Sequence, residues 1–245
     1  MGLIFLAGLA VGSFLNVLID RLPKGENIVW GRSRCDYCKK TLRWYELVPI
    51  ASWVFQGGRC RRCHRRLRLQ YPLVEFATGV AYVGTYVAVS GFGARFFAWL
   101  VIVSAGIVIT VTDFRHRIIP DSMLVVSGVA AIFLQSAHRS HIPMVLISGA
   151  GAAAFFYLLY KLTRGKGMGF GDVKLAGVLG VLLGYPWIII GVYAAFLTGA
   201  TYGVILMILG EAGMKSRVAF GPFLLLGGII SLVWGMPILR FMGLI

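Results

Sequence analysis

Long apolar runs recur along almost the whole of this 245-residue chain. An α-helix rises about 1.5 Å per residue, so about 20 apolar residues cross the roughly 30 Å hydrocarbon layer of a bilayer. Eight segments, of which the sixth is short, are predicted to span a membrane: 2–19, 72–90, 95–112, 121–137, 143–161, 172–184, 187–209 and 218–240. The chain is therefore expected to be an all-α polytopic membrane protein.

Composition supports this class, because 58% of the residues are hydrophobic and only 13% are charged. A soluble domain carries about 25% charged residues, so an ordinary soluble enzyme and a disordered chain are both excluded. Cytosolic loops of membrane proteins are enriched in Lys and Arg. If the first span runs from outside to inside, 21 of the 24 Lys and Arg residues lie on the cytosolic side. The three on the outer side are Arg95, Arg139 and Arg240.

The first apolar helix is expected to stay in the protein and not to be removed as a signal peptide. Basic residues follow it and none precedes it, which is the reverse of a signal peptide's polarity. We divide the chain into this helix (1–19), a polar cytosolic insert (20–71) and a transmembrane core (72–245).

The insert contains all four cysteines of the chain, with the spacing C-x2-C-x21-C-x2-C. Two CxxC pairs supply the four thiolates of a tetrahedral zinc site, and the reducing cytosol disfavours disulfides. A structural zinc ion is predicted on Cys35, Cys38, Cys60 and Cys63, with a redox or iron–sulfur role as the alternatives. His64 is interpreted as a surface residue. The arginines around the second pair are expected to face anionic lipid headgroups, and no nucleic-acid partner is expected.

Asp113 and Asp172 are the candidate catalytic residues. An acid inside the membrane is costly and is by default a functional candidate. In the predicted topology both lie at cytosolic helix ends, so they can meet at one depth. Two adjacent carboxyl groups share one proton: the charged one activates water, and the neutral one polarises and protonates a peptide bond. The glycines around Asp172 would let an extended peptide approach closely.

Other roles remain open for these acids at this point. Asp172 and Asp121 each precede an apolar helix and could serve as helix caps, which is the preferred role for Asp121. Asp113 follows a helix, where a negative charge is unfavourable and a cap role is not available. The same acids could bind protons or ions in a coupled transporter. The chain could also be a zinc-bearing membrane scaffold.

Several motifs, taken in order, resemble the type IV prepilin peptidases, a family of membrane-embedded aspartyl proteases with a GxGD motif. Residues 11–17 with 21–23 resemble the family's opening, and Phe220-Gly221-Pro222-Phe223 resembles its last-helix signature. The cysteine-bearing region is also similar, over residues 32–38, 48–53, 58–63 and 71–75. Residues 113–121 and 169–174 resemble the two catalytic motifs, although Arg115 replaces an acid that the family often has.

The resemblance implies a bifunctional enzyme of the bacterial inner membrane. It would remove the short basic leader of type IV prepilins or pseudopilins at the cytosolic face, then methylate the new N-terminus with S-adenosylmethionine. Asp113 and Asp172 correspond to the catalytic acids, and Gly169, Gly171, Lys174 and Asp121 are assigned supporting roles.

The residues that would bind the methyl donor are not identified by the sequence. The run 149–154 fits G-x-G-x-x-A, but it lies within a span and is expected to be a helix-packing face, like Gly8/Gly12, Gly180/Gly184 and Gly199/Gly203. The cofactor site is therefore expected to be of a different type from the Rossmann fold. Glu46 and Glu75 are candidates for it.

Overall fold

The computed structural model describes residues 1–28, 30–136, 142–165, 167–211 and 219–241. They fall into two compact units, one within Met1–Val108 and the other within Ile109–Ile245. The helices, in chain order, are α1 (Gly2–Arg21), α2 (Ala51–Phe55), α3 (Gln70–Val89), α4 (Ala94–His116), α5 (Asp121–Gln135), α6 (Ile142–Leu162), α7 (Phe170–Leu183), α8 (Trp187–Ile208) and α9 (Gly221–Phe241). No β-strand forms in the described ranges, so the predicted all-α class is confirmed.

The long helices correspond closely to the predicted spans. Six of those described (α1, α3, α4, α6, α8 and α9) are long and apolar enough to cross a membrane. The two remaining predicted spans correspond to α5 and α7, which have 15 and 14 residues and rise only about 21–23 Å. The predicted end of the fourth span at residue 137 and the basic residues Arg139, Lys166, Lys215 and Arg217 lie outside the described residues.

The first unit pairs α1 with α3 and contains the polar insert. Glycines at the crossing let the two backbones approach closely: a Cβ added to Gly8 would come within 2.7 Å of the Cα of Gly79. One added to Gly12 would come within 2.7 Å of the Cα of Glu75. The predicted Gly8/Gly12 packing face is therefore present.

The second unit is built on two helix pairs, α6 with α7 and α8 with α9, and α7 also contacts α5 and α9. Gly149 and Gly180 form the α6–α7 contact, as their runs predicted. In the predicted pair Gly180/Gly184, Gly184 ends α7 with a φ of 70° and its added Cβ would lie 3.3 Å from Val145 of α6. In the pair Gly199/Gly203, a Cβ on Gly199 would lie 3.3 Å from Phe220, whereas nothing lies within 4 Å of one on Gly203. Gly184 begins the three-residue turn to α8, which joins the predicted sixth and seventh spans.

Candidate active site and metal centre

Asp113 is buried in the last turn of α4, with 5% of its surface exposed. The helix continues to His116, four residues beyond the predicted end of the span. The Oδ2 atom of Asp113 accepts a hydrogen bond of 2.9 Å from the backbone N–H of Gly221, the first residue of α9. The carboxylate thus satisfies an N–H group that a helix N-terminus leaves without an intrahelical partner.

Asp172 lies in the first turn of α7 and is 6% exposed. Its Oδ2 atom accepts a 3.1 Å hydrogen bond from the N–H of Gly169, the residue that caps the helix. The interpretation of Asp172 as a cap is therefore partly right, although the helix begins two residues earlier than predicted. Its Oδ1 atom is also buried, and it has no hydrogen-bond partner among the described residues.

The two acids line one cavity of about 350 Å³, and they are close enough for their like charges to interact. The cavity is also lined by residues 117–119, by the loop and first turn around Gly169, and by Phe220. A buried pair of carboxyl groups beside such a cavity can hold a water molecule and share one proton. The structure therefore brings together the two residues that the sequence selected.

Two glycines at this cavity pack tightly against the side chain of Ile119. A Cβ on Gly171 would approach the Cβ of Ile119 to 3.1 Å, and a Cβ on Gly221 would approach its Cδ1 to 3.2 Å. Gly169 is less crowded, since an added Cβ would lie 3.4 Å from Asp172 Oδ2.

Lys174 and Asp121 form an ion pair at the cavity, with 2.7 Å between Nζ and Oδ1. Asp121 is the first residue of α5 and Pro120 occupies the N-cap position, so the cap interpretation of Asp121 was wrong, although its charge lies in the first turn. Both side chains are exposed, at 40% and 70%, and such a pair contributes little to stability. The pair connects the first turns of α5 and α7 beside the acids.

Phe220 and Gly221 are site residues that the sequence analysis did not select. Phe220 contacts Phe156 and Phe196, with ring centroids 6.1 and 5.2 Å away. These rings hold the N-terminus of α9, from which Gly221 donates to Asp113. The Phe220–Phe223 motif was noticed only as a helix signature, because its contact with Asp113 spans 108 positions in sequence.

The four cysteines lie together in the first unit. Their sulfur atoms are all within 4.8 Å of one another, and those of Cys35 and Cys63 are 3.9 Å apart. Tetrahedral zinc, with Zn–S distances of about 2.3 Å, requires sulfur separations of about 3.8 Å. The cluster can therefore bind a metal ion, and its geometry and donor set fit zinc.

The two CxxC segments form matching turns around this cluster. The N–H of Cys35 donates to Lys40 O and that of Cys60 donates to Arg65 O, both at 3.0 Å. Lys39 and His64 occupy equivalent positions with positive φ angles of 57° and 53°. His64 is exposed, as expected of a surface residue, and its positive φ fits the turn.

Burial and hydrogen bonding give the cysteines different acidities. Burial raises the pKa of the Cys35 thiol to about 11. The backbone N–H of Cys63 lowers the pKa of the Cys60 thiol to about 7. A metal ion binds the thiolate forms, so its binding releases protons.

Comparison with known proteins places these sites in a family. Residues 6–89 match the bacterial peptidase A24 N-terminal domain, and residues 100–204 match the type IV leader peptidase family. The prepilin leader peptidase/N-methyltransferase of Bacillus subtilis is 31% identical over 243 residues, covering 98% of this chain and 97% of that protein. The proteins of the same name from Pseudomonas aeruginosa and Stutzerimonas stutzeri are 32% and 30% identical, covering 96% and 93% of this chain and 90% and 88% of theirs. The chain belongs to the type IV leader peptidase family.

As a member of this family, the chain is an integral protein of a bacterial membrane. The N-terminal match contains the cysteine cluster, and the leader peptidase match contains Asp113 and Asp172. Gly221 lies beyond the second match, so its contact with Asp113 is visible only in the structure. No solved structure gives a significant match to the chain.

Proposed function

We propose that this protein is a membrane-embedded aspartyl endopeptidase that removes the short basic leader of type IV prepilins or pseudopilins and methylates the new N-terminus. The observation that carries the proposal is the buried pair Asp113 and Asp172 on one cavity. The relatives, named as leader peptidases and N-methyltransferases, support both activities. They give no support to an ion-coupled transporter.

Asp113 and Asp172 carry out peptide hydrolysis in this proposal. One carboxylate takes a proton from water, whose oxygen then attacks the scissile carbonyl carbon. The other, protonated, donates a hydrogen bond to the carbonyl oxygen. The C–N bond then breaks, and the leaving amine takes a proton from the acid pair. Hydrogen bonds from Gly221 and Gly169 fix one oxygen of each acid and leave Asp172 Oδ1 without a competing hydrogen bond among the described residues.

Residues 20–71 form the metal-binding insert, which we associate with methyl transfer, and residues 72–245 form the peptidase core. Zinc held by Cys35, Cys38, Cys60 and Cys63 has a structural role, since four thiolates leave no open coordination position. S-adenosylmethionine, when bound, supplies the methyl group for the new amine.

Both the insert and the active site face the cytosol of the bacterial inner membrane, in contact with lipid. The distribution of basic residues supports this orientation. A cysteine introduced at Ser90, between α3 and α4, should react with an impermeant maleimide in intact spheroplasts. One introduced at Thr163, after α6, should react only after permeabilisation. The reverse pattern would contradict the orientation.

The decisive experiment is leader cleavage by purified protein carrying Asp113→Asn or Asp172→Asn. Each variant keeps a hydrogen-bond acceptor but cannot share a proton as an acid pair, so cleavage of a prepilin should fall below detection. Glu211→Gln, an equivalent neutralisation just beyond the end of α8, should cleave normally. Retained cleavage in either Asn variant would refute the protease mechanism and favour a scaffold or a transporter, the latter identified by ion flux in vesicles.

A further inference from the structure

A second and larger cavity lies entirely within the first unit, and neither Asp113 nor Asp172 lines it. Its volume is about 570 Å³, and it is bounded by α1, by the start of α3 and by the cysteine-bearing insert. Cavities of roughly 300–1,000 Å³ hold drug-sized ligands. The mechanism of leader cleavage uses none of its residues.

Acidic residues are concentrated on the walls of this cavity. The chain has only nine acids against 24 basic residues, yet five of the nine line the cavity, compared with six of the basic ones. These acids are Asp20, Glu26, Asp36, Glu46 and Glu75. In a chain with a net charge of +15, acidic and basic residues are nearly balanced on this wall, so it can accept a ligand that carries both positive and negative groups.

Glu75 is the most buried of these acids, with 7% of its surface exposed. Its Oε2 atom accepts a 2.7 Å hydrogen bond from the N–H of Ile50. Ile50 has φ 58° and ψ −54°, a strained conformation for a β-branched residue. Strain of this kind persists where the surrounding structure enforces it, often at functional sites. Glu75 therefore holds a tight turn at the cavity wall.

Asp20 and Asp36 lie side by side on another part of the wall. The hydroxyl of Tyr71 is 3.0 Å from an oxygen of Asp20 and 3.1 Å from an oxygen of Asp36. Arg68 approaches the same two carboxylates at 3.7 and 3.9 Å. Tyr71 thus fixes two negative charges next to each other.

Trp53 adds an aromatic ring to the lining. Its indole N–H is fully buried and has no hydrogen-bond partner within the described residues. A Cβ on Gly58 would lie 2.8 Å from the indole ring, so close packing fixes the ring's position. The ring lines the cavity, whereas its N–H is closed off from it, so the ring face is the part that a ligand can contact.

We propose that this cavity binds S-adenosylmethionine, which deepens the proposed function and rests on its methyltransferase half. The donor carries a sulfonium and an ammonium group, for which the carboxylates of Asp20 and Glu75 provide complementary charge. Trp53 supplies a ring face that can attract the sulfonium cation. A single donor molecule suits the volume better than an extended leader peptide, most of which would lie outside it.

Equilibrium binding of S-adenosylmethionine to the full-length, detergent-solubilised protein tests this assignment directly, by calorimetry and without turnover. Glu75→Gln keeps an acceptor for the Ile50 N–H and removes only the charge. Glu75→Gln, Asp20→Asn and Trp53→Leu should each weaken binding about tenfold or more, the scale of one lost charge-assisted hydrogen bond or cation–π contact. Glu211→Gln, outside the cavity, should bind as the wild type does. All four variants should retain the metal content and leader cleavage rate of the wild type.

Wild-type affinity in all three cavity variants would overturn the assignment. A raised KM for prepilin cleavage with unchanged donor binding would also overturn it and indicate that the cavity takes the basic leader. A wild-type protein that cleaves but does not bind the donor would refute the assignment while leaving the peptidase intact. A wild-type protein that binds the donor but does not cleave would refute the peptidase proposal. The calorimetric result would still decide whether the cavity binds S-adenosylmethionine.

Discussion

Asp113 occupies a position that is electrostatically unfavourable within its own helix. The C-terminal end of α4 carries partial negative charge, which repels a carboxylate. The N-terminus of α9 supplies the opposite dipole end, together with the Gly221 N–H at 2.9 Å. The group that stabilises this acid lies more than 100 positions away in sequence, so the residues next to Asp113 give no sign of it.

Gly221→Ala should lower the kcat of leader cleavage by about 10- to 100-fold, the scale expected when a catalytic group is displaced by up to an ångström. The added Cβ would lie 2.8 Å from Asp113 Oδ2 and 3.2 Å from Ile119, so the carboxylate must move. Steady-state kinetics on a prepilin measure the effect. Gly203→Ala is the matched control, because nothing lies within 4 Å of its added Cβ. Equal kcat in the two variants would mean that Gly221 does not position Asp113.

At the residue scale, the sequence identified the acids but not how they are held. Asp113 and Asp172 stood out because acids are rare in apolar segments, and this is a local signal. For Asp172, cap and functional residue were treated as competing interpretations, yet separate oxygens allow both. The ion pair between Asp121 and Lys174 could not be predicted, because it depends on the packing of α5 against α7.

At the element scale, hydropathy predicted where each helix lies but not which helices pack together. Length and apolarity are properties of each segment alone, so the boundaries agree to within a few residues. Glycine pairs predicted packing less reliably, because Gly149 and Gly180 meet across α6 and α7 whereas Gly203 meets nothing. A glycine provides space for a neighbour, but the sequence does not show whether a neighbour is present.

Gly180→Ala should destabilise the α6–α7 pair by about 1–3 kcal/mol, the usual cost of overpacking a tight contact. Its Cβ would lie 2.7 Å from the Cα of Gly149 and 2.7 Å from the carbonyl oxygen of Ser148, and backbone atoms cannot rotate away. Thermal unfolding in detergent measures the loss. Gly151→Ala, on the open side of α6, should be neutral or slightly stabilising. A similar melting temperature for the two variants would contradict this packing.

The insert depends on its metal site more than on a core, because its helices are a five-residue α2 and two short 3-10 turns. Cys60→Ser removes one of four ligands, so bound zinc should fall close to zero and the 20–71 segment should become sensitive to protease. Elemental analysis and limited proteolysis measure both effects. His64→Asn is the control, since Asn tolerates the positive φ of this turn residue and no ligand is lost. Zinc retained by Cys60→Ser, or lost from His64→Asn, would contradict the four-cysteine site.

At the scale of the whole molecule, the scarce acids are divided between two cavities. Asp113, Asp121 and Asp172 line the smaller cavity in the second unit. Five of the other six line the larger cavity in the first unit. A mostly apolar, strongly basic chain therefore places nearly all of its acids at two sites, which agrees with two chemically different activities. The total charge was evident from the sequence, but this division was not, because it depends on how the insert folds against α1 and α3.

The two activities should be separable if each cavity serves one of them. Asp172→Asn should not cleave a prepilin, yet it should methylate an already cleaved pilin at the wild-type rate, because the change leaves the first unit intact. Glu75→Gln should do the reverse, cleaving normally and methylating at least tenfold more slowly at limiting donor. Mass spectrometry of the pilin N-terminus reads both events, the loss of the leader and the gain of one methyl group. If Asp172→Asn failed to methylate the cleaved pilin, one shared site would have to serve both reactions, and the assignment of separate cavities would be wrong.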